Sequence, residues 1–302
     1  MRDALPHVET GAVPTGLIET AIATRRAFKN WLTIGLVAGV VGPSRLPPRR
    51  GWRRLMNRRL ALRTRLGPVL ETEIGNAWPI VEVFRDGCYA APIDWESARL
   101  IVDVGGHVGA FTCWAAWRAP RARIVVFEPE PRNFRDLESN VERNRLLDRT
   151  TLVPAAVGSF DGSQRLGIPI HRYKAGFLEV NAPALAVECI SLDRYLRCEC
   201  PEGVDLLKFD AEGAEWEVLP SLGPEAWRRV KQVLVEFHAH ERSELIALME
   251  PLTQAGFVAR AITAGAGDAD WPVAMTLWAA RPGEPAARSE RGAGSGAALR
   301  RR

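Results

Sequence analysis

From about residue 78 the chain alternates short apolar runs with segments whose apolar residues recur every three or four positions. The first pattern predicts buried strands and the second predicts amphipathic helices. Strands are expected at Leu100–Val104, Arg123–Phe127, Thr151–Pro154, Val204–Phe209, Gln232–Phe237, Phe257–Ile262 and Val273–Ala279. Helices are expected at Val108–Arg118, Arg132–Asn144, Ala214–Leu219 and Arg242–Ala255. Such alternation builds an α/β fold, a mostly parallel sheet with helices on both faces. Only a loop containing AGAGDADW joins the last two strands. It is too short for a helical crossover, so that pair is expected to be antiparallel.

The pattern breaks at three places. WPIVEVF and YAAPI read as two short strands that lead into the sheet. Between residues 159 and 190, Gln164–Ile170, Gly176–Val180 and Val187–Ile190 read as strands of a small antiparallel insertion at a pocket mouth. Before residue 78 lies a basic extension expected to be helical. Residues 17–30 suit a short helix, and Trp31 to Gly42 is an apolar run of twelve residues, a buried or interfacial segment. From Trp52 the apolar spacing of three and four predicts an amphipathic basic helix. The expected organisation is an extension over 1–77, a main domain over 78–280 and a disordered Gly/Ala/Arg/Ser/Pro-rich tail over 281–302.

Hydrophobic residues make up 47% of 302, which supports a sizeable core. The five cysteines are scattered, and Cys198 and Cys200 have no matching second pair, so neither a disulfide scaffold nor a zinc site is expected. No run of 18 apolar residues predicts a membrane span, and the first residues lack a signal pattern. A cytoplasmic location is the expectation. The net charge of +4 is unevenly placed: +8 over residues 1–75, −8 over 76–280 and +4 over 281–302. An acidic main domain argues against nucleic acid as partner. Nine arginines between Arg45 and Arg65 leave three readings for residues 45–65: a solvated face, peripheral contact with an anionic membrane, or contact with another protein.

The sharpest local signal is LIVDVGGHVGAFTCWAAW. Asp103 ends a strand, and Gly105, Gly106 and Gly109 follow before a helix. Ligands of wound sheets bind outside the carboxyl ends of the strands. The spacing D-x-G-x-x-x-G differs from the G-x-G-x-x-G of dinucleotide loops. A carboxylate at Asp103 repels a pyrophosphate; it suits a cationic amino group, or orders the loop. Glu128 ends the next strand, 25 residues on, where an acid can accept both ribose hydroxyls. Pro129 and Pro131 stiffen the exit turn. Glu130 is expected to face solvent, with Asn133 and Phe134 toward the base or in the core. Ala156 to Gly158, small residues past the third strand, leave room for an adenine ring.

In VDLLKFDAEGAEWEVL, Asp210 sits at the end of a strand and Glu212 and Gly213 open the next helix. Glu215 reads as a helix cap. Lys208 is expected either to pair with an acid or to act in the pocket. The next strand ends in E-F-H-A-H, where period two groups Glu236, His238 and His240. His238 is the first choice of general base, Asp210 the second, and Glu236 orients the ring or binds substrate. No metal is expected, since candidate ligands come from separate strands.

These segments together resemble the FkbM family of S-adenosyl-L-methionine-dependent methyltransferases. The likeness rests on IVDVGGHVGAFT, VVFEPEPRNFRDLESNVERN, LVPAAVG, ISLDRYL, LLKFDAEGAEWEVL and VLVEFH, over roughly residues 78–262. It implies a class I, Rossmann-like sheet of seven strands with the last antiparallel, and methylation of a hydroxyl on a small natural product, sugar or glycan precursor. By position it implies cofactor contacts at Asp103, Gly105, Gly106, His107, Gly109, Glu128, Pro129, Ala156 and Asp210. Glu236 and His238 match the family's acidic-x-histidine strand end. Arg172 and Lys174, beside Tyr173 in the insertion, and Glu212 are candidate acceptor contacts. His107 stands where many relatives carry Asn. The alternatives are a nucleic-acid methyltransferase using the basic stretch and a nonenzymatic protein that keeps the fold.

Overall fold

The computed structural model describes residues 17–30, 52–86, 88–89, 91–167, 184–211, 213–239, 242–264 and 273–283. Ahead of the sheet come helices α1 (Leu17–Ala27) and α2 (Trp52–Met56), strands β1 (Arg59–Arg63) and β2 (Val69–Glu73), and a short helix α3 (Trp78–Val81) that runs into a π turn over Glu82–Asp86. Then follow β3 (Leu100–Val104), α4 (Ala110–Arg118), β4 (Arg123–Phe127), α5 (Pro131–Arg143) and β5 (Thr150–Val153). The insertion supplies β6 (Ala156–Gly158), β7 (Gly162–Gly167) and β8 (Ala184–Ser191). The chain continues through α6 (Leu192–Glu199), β9 (Val204–Phe209), α7 (Glu215–Ser221), α8 (Pro224–Arg229), β10 (Val230–Ala239), α9 (Arg242–Gln254), β11 (Val258–Ala264) and β12 (Val273–Ala280).

Seven strands form one sheet in the order β11-β12-β10-β9-β3-β4-β5. β12 runs antiparallel to both its neighbours, and the pairs from β10 through β5 are parallel, as the alternation predicts. The pleat divides the core. Ile101, Ile124, Leu206 and Leu234 pack on one face with Phe111 and Trp114 of α4. Val102, Val125, Leu207 and Val235 pack on the other with Leu192 and Val218. Along β3 and β9 the first face continues from Ile101 and Leu206 to Asp103 and Lys208. Two charged residues thus end an otherwise apolar face.

Several expectations fail in the approach to the sheet. The basic helix from Trp52 stops at Met56, and Arg59–Arg63 pairs antiparallel with Val69–Glu73. Leu60 and Leu62 fit helical and strand periods alike, and tertiary partners decide between them. WPIVEVF is helical, with Pro79 in the first turn, where its missing N–H costs nothing. The described part of YAAPI turns tightly, with Ala91 N on Tyr89 O and Ile93 N on Ala91 O, both at 2.8 Å. In the insertion β7 and β8 are antiparallel, but β6 adds to β8 in parallel. The apolar Trp31–Gly42 run, the Gly176–Val180 strand and the tail beyond residue 283 lie outside the described residues. No described helix is long and apolar enough to cross a membrane.

The hairpin is held by the polar stripe of α5. Asn140 Oδ1 accepts from Glu71 N at 2.7 Å while its Nδ2 donates to Glu71 O at 3.1 Å. Asn144, one turn on, repeats the pattern on Val69 N and O, both at 2.9 Å. Two side-chain amides thus act as a substitute strand for β2. Asp136 completes the row, accepting from Thr72 Oγ1 and from Arg59, at 2.7 and 2.8 Å. Asn140→Ala leaves the Glu71 amide unpaired and its carbonyl with only a 3.4 Å contact from Arg59, and is expected to cost about 1–3 kcal/mol. Chemical denaturation reads the loss, and hydrogen exchange should quicken first at the Glu71 amide.

Candidate functional site

The carboxyl ends of β3, β9 and β10 meet around Lys208, which is 2% exposed. Its ammonium lies 3.2 Å from Asp103 Oδ1 and 3.3 Å from Asp210 Oδ2. It also donates to the carbonyls of Gly105 and Val104, at 2.9 and 3.3 Å. Asp103 and Lys208 are partners in the β3–β9 register, so the ion pair follows from strand pairing. Burial works against the ammonium, but Asp103 and Asp210 more than offset it and hold its pKa above the ordinary lysine value. Burial likewise pushes Asp103 up from the usual aspartate range, and Lys208 pulls the other way.

Asp103 is fully buried, and its second oxygen accepts from Thr112 Oγ1 at 2.6 Å. Of the two roles open to it in the sequence, this geometry is that of ordering the loop. Lys208 correspondingly pairs with acids. The loop is pinned from both sides: Gly105 N and Gly106 N donate to Phe127 O at 3.0 and 2.9 Å, and Lys208 holds the Gly105 carbonyl. Gly105 has φ +81°, and a Cβ there would fall 1.7 Å from the Asp210 carbonyl oxygen. At Gly106 a Cβ would meet Val126 Cγ1 at 2.2 Å. Gly109 enters α4 with φ +84°.

Glu128, 5% exposed, closes the far side of the loop. Its oxygens accept from His107 N at 2.8 Å and Glu130 N at 2.9 Å. Burial pushes its pKa up to about 7, against these two N–H groups, which favour the charged form. His107 adopts φ +50°, and its Nε2 lies 2.9 Å from Asn76 Oδ1. Asn76 in turn donates to Asn133 Oδ1 at 3.0 Å. The extension therefore reaches the glycine loop. Glu130 does not face solvent: at 2% exposed it accepts from Arg132 N and Asn133 N and caps α5. Pro129 is half-buried in the exit turn. Ala156 is buried past the end of β5, paired with Cys189 of β8.

At the β9 and β10 ends the structure adds a residue that the sequence reading missed. Tyr89 directs its hydroxyl to Asp210 Oδ2 at 3.0 Å and to Glu236 Oε2 at 2.9 Å. Nothing local marked it, since its partners lie 121 and 147 residues away. Asp210 keeps 24% exposure, and its Oδ1 bonds to no described residue. Glu215 is a cap, accepting from Ala211 N and Gly213 N at 2.8 and 2.7 Å. His238 follows Glu236 by two positions on β10, opposite Ala274. The side chain of His238, and all of Glu212, His240, Arg172, Tyr173 and Lys174, lie outside the described residues.

A seven-stranded sheet with one antiparallel strand, a glycine loop after an inner parallel strand and acids at the neighbouring strand ends is the class I methyltransferase arrangement. Residues 103–259 match the Methyltransferase FkbM domain, and the chain belongs to that family of methyltransferases. Methyltransferase sdnD of Sordaria araneosa is 29% identical over 187 residues, 51% of this chain and 72% of that protein. Methyltransferase 1 of Beauveria bassiana is 30% identical over 178 residues, 51% and 70% of the two chains. The 31-O-demethyl-FK506 methyltransferase FkbM of Streptomyces tacrolimicus is 24% identical over 203 residues, 56% and 77%.

Gly105→Ala should be among the most damaging single changes in the loop. It adds a left-handed backbone penalty to a backbone clash, and is expected to cost about 3 kcal/mol or more. Gly283→Ala, with φ +93° and nothing within 4 Å, is the control. It should cost about 1 kcal/mol, with both losses read from thermal or chemical unfolding.

Proposed function

We propose that the protein is an S-adenosyl-L-methionine-dependent O-methyltransferase acting on a hydroxyl of a small natural product, sugar or glycan precursor. The observation that carries this reading is the donor set of the edge: Glu128 on one side of the Gly105–Gly109 loop and Asp210 on the other. Carboxylates suit the ribose hydroxyls and the cationic parts of this cofactor. They do not suit a pyrophosphate, and the nearby lysine is already committed to Asp103 and Asp210. When bound, the cofactor supplies a methyl group on a sulfonium, an electrophile that needs no metal.

The chain's own work is then alignment and proton handling. Glu128 accepts hydrogen bonds from the ribose, beside Pro129 and the small Ala156. Gly105, Gly106 and Gly109 keep the loop clear of side chains, and Asp103 and Lys208 keep its backbone fixed. Asp210 Oδ1, without a partner among the described residues, takes the proton of the acceptor hydroxyl. His238 stands by position as the other candidate base, and Glu212, Arg172 and Lys174 as further contacts to the acceptor. Exposed Arg54, Arg58, Arg63 and Arg65 support contact of the 45–65 stretch with an anionic surface.

The test is calorimetric titration with S-adenosylhomocysteine, with NAD as the matched control. One-site binding of the first alone is expected. Ribose hydroxyls favour the charged form of Glu128, so its pKa falls from about 7 on binding and protons are released. The heat at pH 7 should therefore change with the ionisation enthalpy of the buffer, and the effect should shrink in Glu128→Gln. A labelled methyl donor with hydroxylated acceptors then reads the transfer itself. Binding of NAD instead would reject the reading.

A further inference from the structure

Ahead of the family match, Tyr89 lies between two carboxyl groups at the strand ends. Tyr89 is 4% exposed, and its ring is fixed edge-on to Phe111 with centroids 5.1 Å apart. Its oxygen is 2.9 Å from Glu236 Oε2 and 3.0 Å from Asp210 Oδ2. A phenol carries one proton and can donate to one of them only. With both carboxyls ionised, the second contact would set lone pair against lone pair. With one carboxyl protonated, the conflict disappears: the acid donates to the phenol oxygen, and the phenol donates to the remaining carboxylate.

The surrounding charges decide which group holds the proton. The Lys208 ammonium lies 3.3 Å from Asp210 Oδ2 and forms an ion pair with it. Glu236 has Tyr89 as its hydrogen-bond partner among the described residues. Among the described residues packed around it, Asp210 on β9 and Glu82 in the π turn repel its charge, while the Tyr89 hydrogen bond and Lys208 favour it. Asp103 on β3 lies behind Lys208, on its far carboxylate contact. Cys88 sits beside Tyr89 and opposes ionisation of the phenol.

We propose that Tyr89 is a positioning residue of the transfer site: its hydroxyl accepts from Glu236 as a neutral acid and donates to Asp210, which stays the carboxylate that accepts the acceptor's proton. The role in transfer rests on the function proposed above. Burial and the Asp210 charge raise the pKa of Glu236 well above the ordinary glutamate value, in line with this geometry. Burial raises that of Tyr89 as well, so the phenol stays neutral. Glu236, matched by position to the family's acidic-x-histidine strand end, is then not the base. The proton leaves the acceptor oxygen for Asp210 Oδ1, and neither Tyr89 nor Glu236 changes its bonding.

Infrared difference spectroscopy of the full chain across a pH titration tests this. The wild type minus Glu236→Gln difference at pH 7, in which the partly protonated Glu128 cancels, should show the carbonyl band of one protonated carboxyl. That band should be kept in Asp210→Asn. In Tyr89→Phe it should move to higher frequency, because the acid has lost its acceptor, and a merely structural role for Tyr89 would not produce that shift. Absence of the band from that difference overturns the proposal, as does an unshifted band in Tyr89→Phe. Glu236→Gln keeps the volume and a donor, so the assignment survives if Tyr89→Phe fails to fold. S-adenosylhomocysteine titration of the same wild-type sample separates the two layers. A Glu236 band without binding upholds the proton assignment and removes its catalytic role; binding without the band does the reverse.

Discussion

A single buried ammonium, that of Lys208, is the interaction on which the strand ends depend. An isolated charge in such a place costs several kcal/mol, and it is tolerated only when partners surround it. Lys208 has two carboxylates and two backbone carbonyls within 3.3 Å. Each contact does local work. Asp103 is neutralised in the core, the Gly105 carbonyl is fixed, and Asp210 is held at the edge with its charge balanced. Removing the ammonium would leave Asp103 buried with no counter-charge and free the first turn of the glycine loop. The loop's shape and the charge at the reacting edge are therefore set by the same side chain.

The extension is part of this arrangement. Asn140 and Asn144 of α5 hold β2 as a neighbouring strand would, and β2 leads directly through Asn76 to α3 and then to Tyr89. Asn76 reaches His107 in the glycine loop, and Tyr89 covers Lys208 with its ring 5.8 Å from the ammonium. Residues that precede the family match thus touch both sides of the candidate site. Substitutions in the hairpin should consequently be felt at the glycine loop, through packing and hydrogen bonds.

The sheet was legible because buried parallel strands are continuous apolar runs, and the ligand edge because acids and glycines end those runs. Asp103, Glu128 and Asp210 stand where that rule places them. The rest depended on long-range partners. The stretch from Trp52 has apolar spacing that suits either helix or strand, and pairing with β2, itself held by the amides of α5 some 70 residues away, chooses the strand. Glu130 looked like an exposed acid because capping is decided by the backbone that follows it. Lys208 was ambiguous because its partner Asp103 is 105 positions away in the sequence. Tyr89 carried no local pattern at all; only the need to cover a buried charge cluster points to it, and that need appears once the strands are paired.

A double-mutant cycle on Lys208 and Asp103 addresses the central claim most directly. Lys208→Met and Asp103→Asn, singly and together, would be followed by chemical denaturation at pH 7. Breaking a buried pair from either side is expected to cost about 3–5 kcal/mol. If the ammonium and the Asp103 carboxylate support each other, the double variant should lose less than the sum of the singles by about 1 kcal/mol or more. Losses that add to within about 0.5 kcal/mol would mean that the two groups are independent, and would contradict the account of Lys208 as the charge that holds the strand ends together.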